Sequence, residues 1–399
     1  MADKNSISDL GYPKSIKSSN DNSTAHVGQS TTALNPDTTG LAKTTNDVLV
    51  EGSIGSVTDA IGKSLYGINH RQTPGAIQLN KDFFGLTFFT RPDMNLTWSN
   101  VKDSRQLAPL LTRNLNSIPS IIRSLLDVRL GNSKEYGGVS SLVDAQQAFI
   151  PMLTNHLLSI SGWPDAIAPT MTSQEGVYKE AFSMVDGVVA NYSTYDIQAN
   201  FRNIPGDPIT LLFLVWIHYA SNVFQGLMVP YPDNIVMNQI DYQTRIYRLV
   251  LDSSKRFVKK IGACGASFPM SSPIGAAFNY EHNTPISDSN HQISIPFRCM
   301  GFMAQDDILI SEFNATTAMF NPSMDKDATK IENAIAKLND GKKHSAKIWD
   351  DARTGKNYVK LNADELTLAN NLGYPHININ TYELGWYVDL DTWDYIFAN

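Results

Sequence analysis

Residues 195–226 read YDIQANFRNIPGDPITLLFLVWIHYASNVFQG, and this stretch decides the fold. Tyr195, Ile197, Ala199 and Phe201 alternate with Asp196, Gln198, Asn200 and Arg202, the period of a half-buried strand. Asn203-Ile204-Pro205-Gly206 then feeds the chain straight into a helix spanning Asp207 to Gln225. Asp207 stands at the N-cap, Pro208 at the first helical position and Gly226 at the stop. Leu212, Trp216, Tyr219 and Val223 recur at helical spacing and form the expected buried stripe, with Trp216 anchoring the helix to the sheet. Ile209 to Val229 holds no Asp, Glu, Lys or Arg and approaches the ~20 residues that span a bilayer. His218, Ser221, Asn222, Gln225 and Gly226 in its second half, and the lack of a flanking Lys/Arg cluster, favour a buried helix. No stable membrane insertion is expected.

Strand signals dominate outward from this unit. On the C-terminal side they cover Ile240 to Asp252, Phe257 to Cys264, Ala276 to Tyr280 and Ile293 to Met303. In the last of these, Ile293, Ile295, Phe297, Cys299 and Met303 would share one face. Asp252-Ser253-Ser254-Lys255-Arg256 is short enough to close a hairpin. On the N-terminal side, Phe83 to Thr90 (FFGLTFFT) reads as a buried strand stopped by Arg91-Pro92. Helical stretches follow at Ser104 to Asn116 and at Ile118 to Leu130, the second closed by Gly131. The regular alternation of strand and long helix that a parallel sheet needs is missing. The expected class is therefore α+β: a mainly antiparallel β body, a sandwich or barrel, with a packed helix.

The two ends differ from this body. Residues 1 to about 56 are crowded with Ser, Thr, Asn, Asp and Gly, as in Ser18-Ser19-Asn20-Asp21-Asn22-Ser23-Thr24. Such a segment buries too little apolar surface to offset the entropy of ordering, so it reads as an extended arm that orders on neighbouring subunits. Folding back on its own domain is the other course open to it. The C-terminal part carries an amphipathic helix around Thr329 to Leu338, with Ile331, Ile335 and Leu338 on one side and Gly341 beyond. A second helix is expected at Asp364 to Leu372, closed by Gly373. The chain thus divides into a polar arm (1–65), a β-rich body (66–322) and a helical or mixed C-terminal region (323–399). No internal repeat is evident.

Composition narrows the function. A net charge of −7 argues against a general or sequence-specific nucleic-acid binder, which would show a basic face. Cys264 and Cys299 are the two cysteines, too few for a disulfide framework, and no secretory signal opens the chain. Synthesis and folding in a cytosol are expected.

The chemical motifs are near-misses. Gly62-Lys63-Ser64 resembles the end of a phosphate loop, but Val57 stands where the first glycine belongs. Val57 to Ile61 reads better as the start of a docking helix. Gly262-Ala263-Cys264-Gly265-Ala266 imitates a nucleophile elbow, yet Ala266 replaces the last glycine and extended chain follows instead of a helix. The two cysteines are then small buried hydrophobes. His282 and His291 flank a loop without a third ligand. Asp306 and Asp307 with Glu312 form the best carboxylate cluster, though adjacent residues on a strand face opposite ways. Asp389, Asp391 and Asp394 lack the glycine of a calcium loop. No catalytic, cofactor-binding or metal site is assigned, and no cofactor is expected.

The texture of three segments is more telling: FFGLTFFTRPDMNL (83–96), FRNIPGDPITLLFLVWIHYASNVFQG (201–226) and residues 240–280, joined by ISIPFRCMGFMAQDDILISEFN (293–314). Together they resemble virion structural proteins of large tailed bacteriophages, in particular tail-tube and baseplate proteins of contractile tails. The likeness covers about the middle half of the chain and no single motif in it is diagnostic. It implies a β-sandwich or barrel flanked by a helix, with six copies forming a ring around a channel. It also implies partners among other tail or baseplate proteins, residence in the virion, and no enzymatic activity. A mildly acidic chain suits a lumen through which DNA passes, because negative walls repel phosphate. Tube, tube initiator, baseplate and tail-completion positions all fit. The other readings are a capsid or decoration protein, a virion-associated glycan hydrolase using Asp306, Asp307 or Glu312, and a membrane-associated protein using Ile209 to Val229.

Overall fold

In the computed structural model of the chain, the described residues are 83–130, 139–189, 193–278, 282, 292–304, 307–321, 324, 348–350, 357–361, 373–379 and 381–389. Strand β1 is Phe84–Phe89, followed by the short helix α1 (Trp98–Val101), α2 (Ile118–Leu126) and α3 (Pro151–His156). Next come β2 (Leu157–Ser161), β3 (Thr170–Thr172), β4 (Ser183–Val185) and β5 (Thr194–Arg202). Helix α4 (Pro208–Phe224) and the short α5 (Pro232–Val236) precede β6 (Ile246–Leu251), β7 (Val258–Pro269) and β8 (Gln292–Ala304). The remainder is α6 (Asp307–Phe320), β9 (Ile348–Asp350), β10 (Asn357–Lys360), β11 (Tyr374–Ile377) and β12 (Leu384–Asp389).

Six strands form the body sheet in the order β1-β6-β7-β8-β5-β2, every neighbouring pair antiparallel. Alternation in β5 does what its sequence dictates: Ile197, Ala199 and Phe201 are fully buried while Asp196, Gln198 and Arg202 face solvent. Helix α4 covers that buried face. Phe213 meets Phe201 and Phe297 at ring-centroid distances of 5.5 and 5.7 Å and stacks on Trp216. Trp216 is fully buried and its Nε1 donates to the Tyr242 carbonyl at 2.7 Å, so its polar end is satisfied.

The opposite face is also covered, which makes the fold three layers deep. Phe88, Tyr247, Leu249 and Ile261 pack with Leu309, Ile310 and Phe313 of α6 and with Ile377 and Leu384. Asn314 clamps β11 by donating to the Ile377 carbonyl at 2.7 Å and accepting from its N–H at 2.9 Å. Beneath β1, the buried Arg91 guanidinium donates to the carbonyls of Ser124, Leu125, Asp144, Ala145 and Gln147. Burial lowers its pKa to about 10, which still leaves it charged at neutral pH. That one side chain ties α2 and the loop before α3 to the sheet.

Several expectations need correction. Ser104 to Asn116 is no α-helix; it holds a 3₁₀ turn at Ala108–Leu110, where Pro109 lacks an N–H. After it, the Thr112 and Asn114 side chains bond nearby backbone N–H groups instead. Helix α2 stops at Leu126, since Asp127 is extended and accepts from Leu96 N and Arg129 N; Gly131 lies outside the described residues. Ala276 to Tyr280 gives a 3₁₀ turn at Ile274–Phe278, just after Pro273, and residues 279 and 280 are not described. The strand expected from Ile240 begins at Ile246, and the one expected to end at Cys264 continues to Pro269.

Asp207 does not cap α4 with its side chain. It sits in the left-handed region at φ 49°, after Gly206 at φ 92°, and accepts from Asn203 Nδ2 at 2.5 Å. Met303 leaves the face of Ile293, Ile295, Phe297 and Cys299 and packs in the opposite core. The parity changes at Gly301, which has φ 67° and lies near Gly265 of the neighbouring strand. Instead of a helical C-terminal part, the described residues there build a four-stranded antiparallel sheet, β11-β12-β10-β9. The helices expected at Thr329 to Leu338 and Asp364 to Leu372 lie outside the described residues.

Two expectations stand in detail: the 252–256 turn closes the β6–β7 hairpin, and Gly226 (φ 73°) follows the end of α4. Among the described residues, no helix is long and apolar enough to cross a membrane. Trp216→Ala removes the largest side chain of the α4 interface and is expected to cost about 3–5 kcal/mol. The thermal midpoint should fall by several degrees; a melt within about one degree of wild type would refute the anchoring role.

Candidate assembly surfaces

Between β2 and β5 the chain leaves the body. Gly162 (φ 98°) lies against the Asp196 carbonyl where a Cβ would not fit, and this releases the chain from the sheet. β3 and β4 then pair as an antiparallel hairpin, extended by Asp186 N to Pro169 O at one end and Ser173 N to Phe182 O at the other. Every residue from Asp165 to Val189 is exposed. Among them are Ile167, Met171, Val177, Tyr178, Phe182, Met184, Val185 and Val188. An isolated two-stranded hairpin is marginal in water, and an apolar surface of this extent marks an interaction site.

A second apolar surface follows α4. Phe224, Leu227, Val229, Ile235, Val236, Met237 and Ile240 are all exposed, yet the segment that carries them is firmly held. Val229 exchanges backbone and side-chain hydrogen bonds with Asn100, and Asn95 Nδ2 donates to its carbonyl. Tyr231 OH donates to Asp127 at 2.9 Å. Arg129 bridges Asp93 (2.5 Å) and Asp233 (2.8 Å) while its guanidinium covers the Tyr231 ring. Beside this latch, Tyr219 OH bonds Asp241. Burial raises the pKa of Asp127 to about 6, against the opposing effect of its hydrogen bonds and of Arg123; burial also raises that of Asp241.

The sheet offers a third feature. Among the described residues, β1 and β2 are the outer strands; the end of β1 is closed on its outer side by the Thr90–Phe149 bridge, with Ile150 N donating to the Phe89 carbonyl, so its open edge is the Phe84–Phe88 part. Such edges present unpaired N–H and C=O groups to another chain.

No described residue from the motif analysis enters a catalytic arrangement. Cys264 lies within β7, buried, its Sγ accepting from Ile246 N at 3.1 Å. A hydrogen bond to Cys264, together with burial, keeps the Cys299 thiol protonated. Glu312 is paired with Arg245 at 2.5 Å, Asp307 opens α6, and Asp306 is not described. Asp389 ends β12 and His282 is exposed. Asp391, Asp394, His291, Gly62-Lys63-Ser64, the Val57 to Ile61 helix and the polar arm all lie outside the described residues. Among the described residues, no group of three His, Cys, Asp or Glu side chains is placed to hold a metal ion.

Comparison with known proteins settles the broad class. A family model described as "Putative phage tail tube protein" matches residues 20–399. The chain belongs to this family. The resemblance to phage tail-tube proteins therefore stands, and the match extends well beyond the middle half of the chain. Among solved structures, the chain is similar to the anti-feeding prophage cap, a tube-terminating cap, at 13% identity over 39% of this chain and 81% of that chain, with a TM-score of 0.24. It is also similar to the PVC sheath/tube terminator of an extracellular contractile injection system in its extended state. There the identity is 14%, over 40% of this chain and 88% of that chain, with a TM-score of 0.23. Likeness at those scores does not bear on the fold. No curated protein matches the chain.

As a member of the tail-tube family, the chain is a structural component of the virion tail and acts in an oligomeric assembly with other tail proteins. The two apolar surfaces were not foreseen from sequence. β3 and β4 are three residues each, too short for a period of two to register, and Gly176 at the start of the connecting turn was the available signal.

The latch predicts a pH dependence. The folded pKa of Asp127 lies above its unfolded value, so the fold binds the extra proton. The associated stability is fully present below about pH 4 and is lost as pH rises through about 6. Wild type should therefore gain stability over Asp127→Asn on acidification from pH 7 to 5. A difference in melting temperature that does not change with pH would refute the assignment.

Proposed function

We propose that this chain is a non-enzymatic tail-tube component that closes into a ring with copies of itself and binds other tail proteins. The observation that carries the reading is an open antiparallel body sheet with outer strands at both sides, in a chain of the tail-tube family. Pairing of the Phe84–Phe88 part of β1 in one copy with β2 in the next would continue the sheet around a channel. The resemblance implies six copies per ring. A net charge of −7 suits walls that must not hold DNA in transit.

The three-part division belongs to the same reading. Residues 1–65 act as an arm that orders across neighbouring subunits, residues 66–322 form the ring-building body, and residues 323–399 form a C-terminal region packed against it. Synthesis and assembly take place in the host cytoplasm before incorporation into the particle.

Immunogold electron microscopy of purified particles, with antibody against the body, tests the position. Label along or at one end of the tail is expected; label on heads would move the chain to the capsid and overturn the reading. Deleting residues 1–56 should leave the thermal midpoint of the body unchanged while reducing incorporation into particles. Full incorporation of the truncated chain would refute the arm's role.

A further inference from the structure

One buried polar atom of the body lacks a partner. Gln147 is 8% exposed and its Nε2 donates to the Gly373 carbonyl at 3.2 Å. Its Oε1 is also buried and, among the described residues, accepts no hydrogen bond. Leaving a buried acceptor unpaired costs free energy, so the atom marks a place where a donor belongs. Gln147 lines a groove of about 280 Å³ together with Ile121 and Leu125 of α2 and with Val143, Phe149 and Met152. Leu142 lines it as well and is exposed. Arg91 fastens the two walls, donating to the Leu125 carbonyl on one and to the Gln147 carbonyl on the other. The groove is thus preformed and mainly apolar, and it holds an acceptor in want of a donor.

The chain itself arrives beside this groove. Tyr374 of β11 pairs with Tyr387 of β12, and β12 runs on past that pair to Asp389, on the side of Gly373. Gly373 holds Gln147, and Tyr374 OH bonds the Asp144 carboxylate on the groove wall. This end of the small sheet therefore abuts the groove. The next residues, 390–399, read LDTWDYIFAN and carry Leu390, Trp393, Tyr395, Ile396 and Phe397, a run that gains by leaving water. Trp393 stands four residues beyond Asp389, a reach of about 13 Å in extended chain. An indole matches what the groove lacks, with a large apolar body and a single N–H donor.

We propose that residues 390–399 dock on the body of their own chain. The Trp393 side chain fills the groove between α2 and residues 142–152, and its indole N–H is donated to Gln147 Oε1. The contact pins the four-stranded sheet to α2 and covers the exposed Leu142. It uses neither outer strand of the body sheet, so it stands apart from the ring reading and is tested separately from it.

The test uses the full chain carrying Leu142→Cys and Asp394→Cys together; native Cys264 and Cys299 are buried. A short bismaleimide should join the two introduced thiols within one chain, giving an adduct of single-chain mass whose tryptic map links residue 142 to residue 394. Adding Trp393→Ala should lower that yield by on the order of tenfold, the scale of a hot-spot loss. Circular dichroism spectra and cooperative melts like those of wild type establish that each variant is folded. An unchanged yield in the Trp393→Ala chain would overturn the proposal, because proximity without docking would then explain the link. No adduct at all would overturn it too. A link formed between separate Leu142→Cys and Asp394→Cys chains, with none inside the double variant, would mean that the segment docks on a neighbouring copy and would equally refute it.

Discussion

The structure depends on burying both faces of one antiparallel sheet. On the first face the constraint is local: Phe201 stands one residue before the end of β5, a short reversal follows, and α4 lays Phe213 and Trp216 back over Phe201 and Phe297. A strand and the helix after it thus supply both sides of one core. The reversal needs two consecutive left-handed residues, Gly206 and Asp207, so Asp207 serves as a backbone hinge and its carboxylate is bound by Asn203.

The second face is assembled from distant pieces. Phe88 near the start of the body, Tyr247 in the middle and Phe313 of α6 meet there, with ring contacts of 5.2 and 5.4 Å. β11 and the residues around Leu384 complete it. The sheet serves two cores: in β8 the facing changes at Gly301, beside Gly265 of β7, so Cys299 lies in the first core and Met303 in the second. The adjacent Ala263 and Cys264 of β7 reach opposite cores by ordinary alternation. Small residues at that crossing allow both strands to bend without breaking their pairing.

With both faces covered, what remains for function is what the core does not use. The described residues contain no arrangement of carboxylates, thiols or imidazoles poised for chemistry; Glu312 and the cysteine pair are absorbed by neighbouring groups. The exposed apolar residues are concentrated instead on the hairpin and on the latched segment after α4. Both are held in place by hydrogen bonds, so their apolar side chains are presented in fixed positions. Such surfaces suit a protein whose work is assembly.

The strand at 195–202, the helix after it, the hairpin turn at 252–256 and the α+β class were legible because each follows from spacing within about thirty residues. Trp216 was legible as an anchor for the same reason. The helix expected at Ser104 to Asn116 failed because proline and side-chain-to-backbone bonds outweighed a weak period. The facing of Met303 failed because parity carries through a strand only until a glycine with positive φ resets it. The hairpin strands were too short to register. The sequence by itself determined the local units, the apolar stripes and the absence of a complete catalytic motif, since these depend on near neighbours along the chain. Only the tertiary structure decided which stripes meet, where the sheet has its edges and which apolar side chains are left in solvent, because those follow from contacts between residues far apart in sequence.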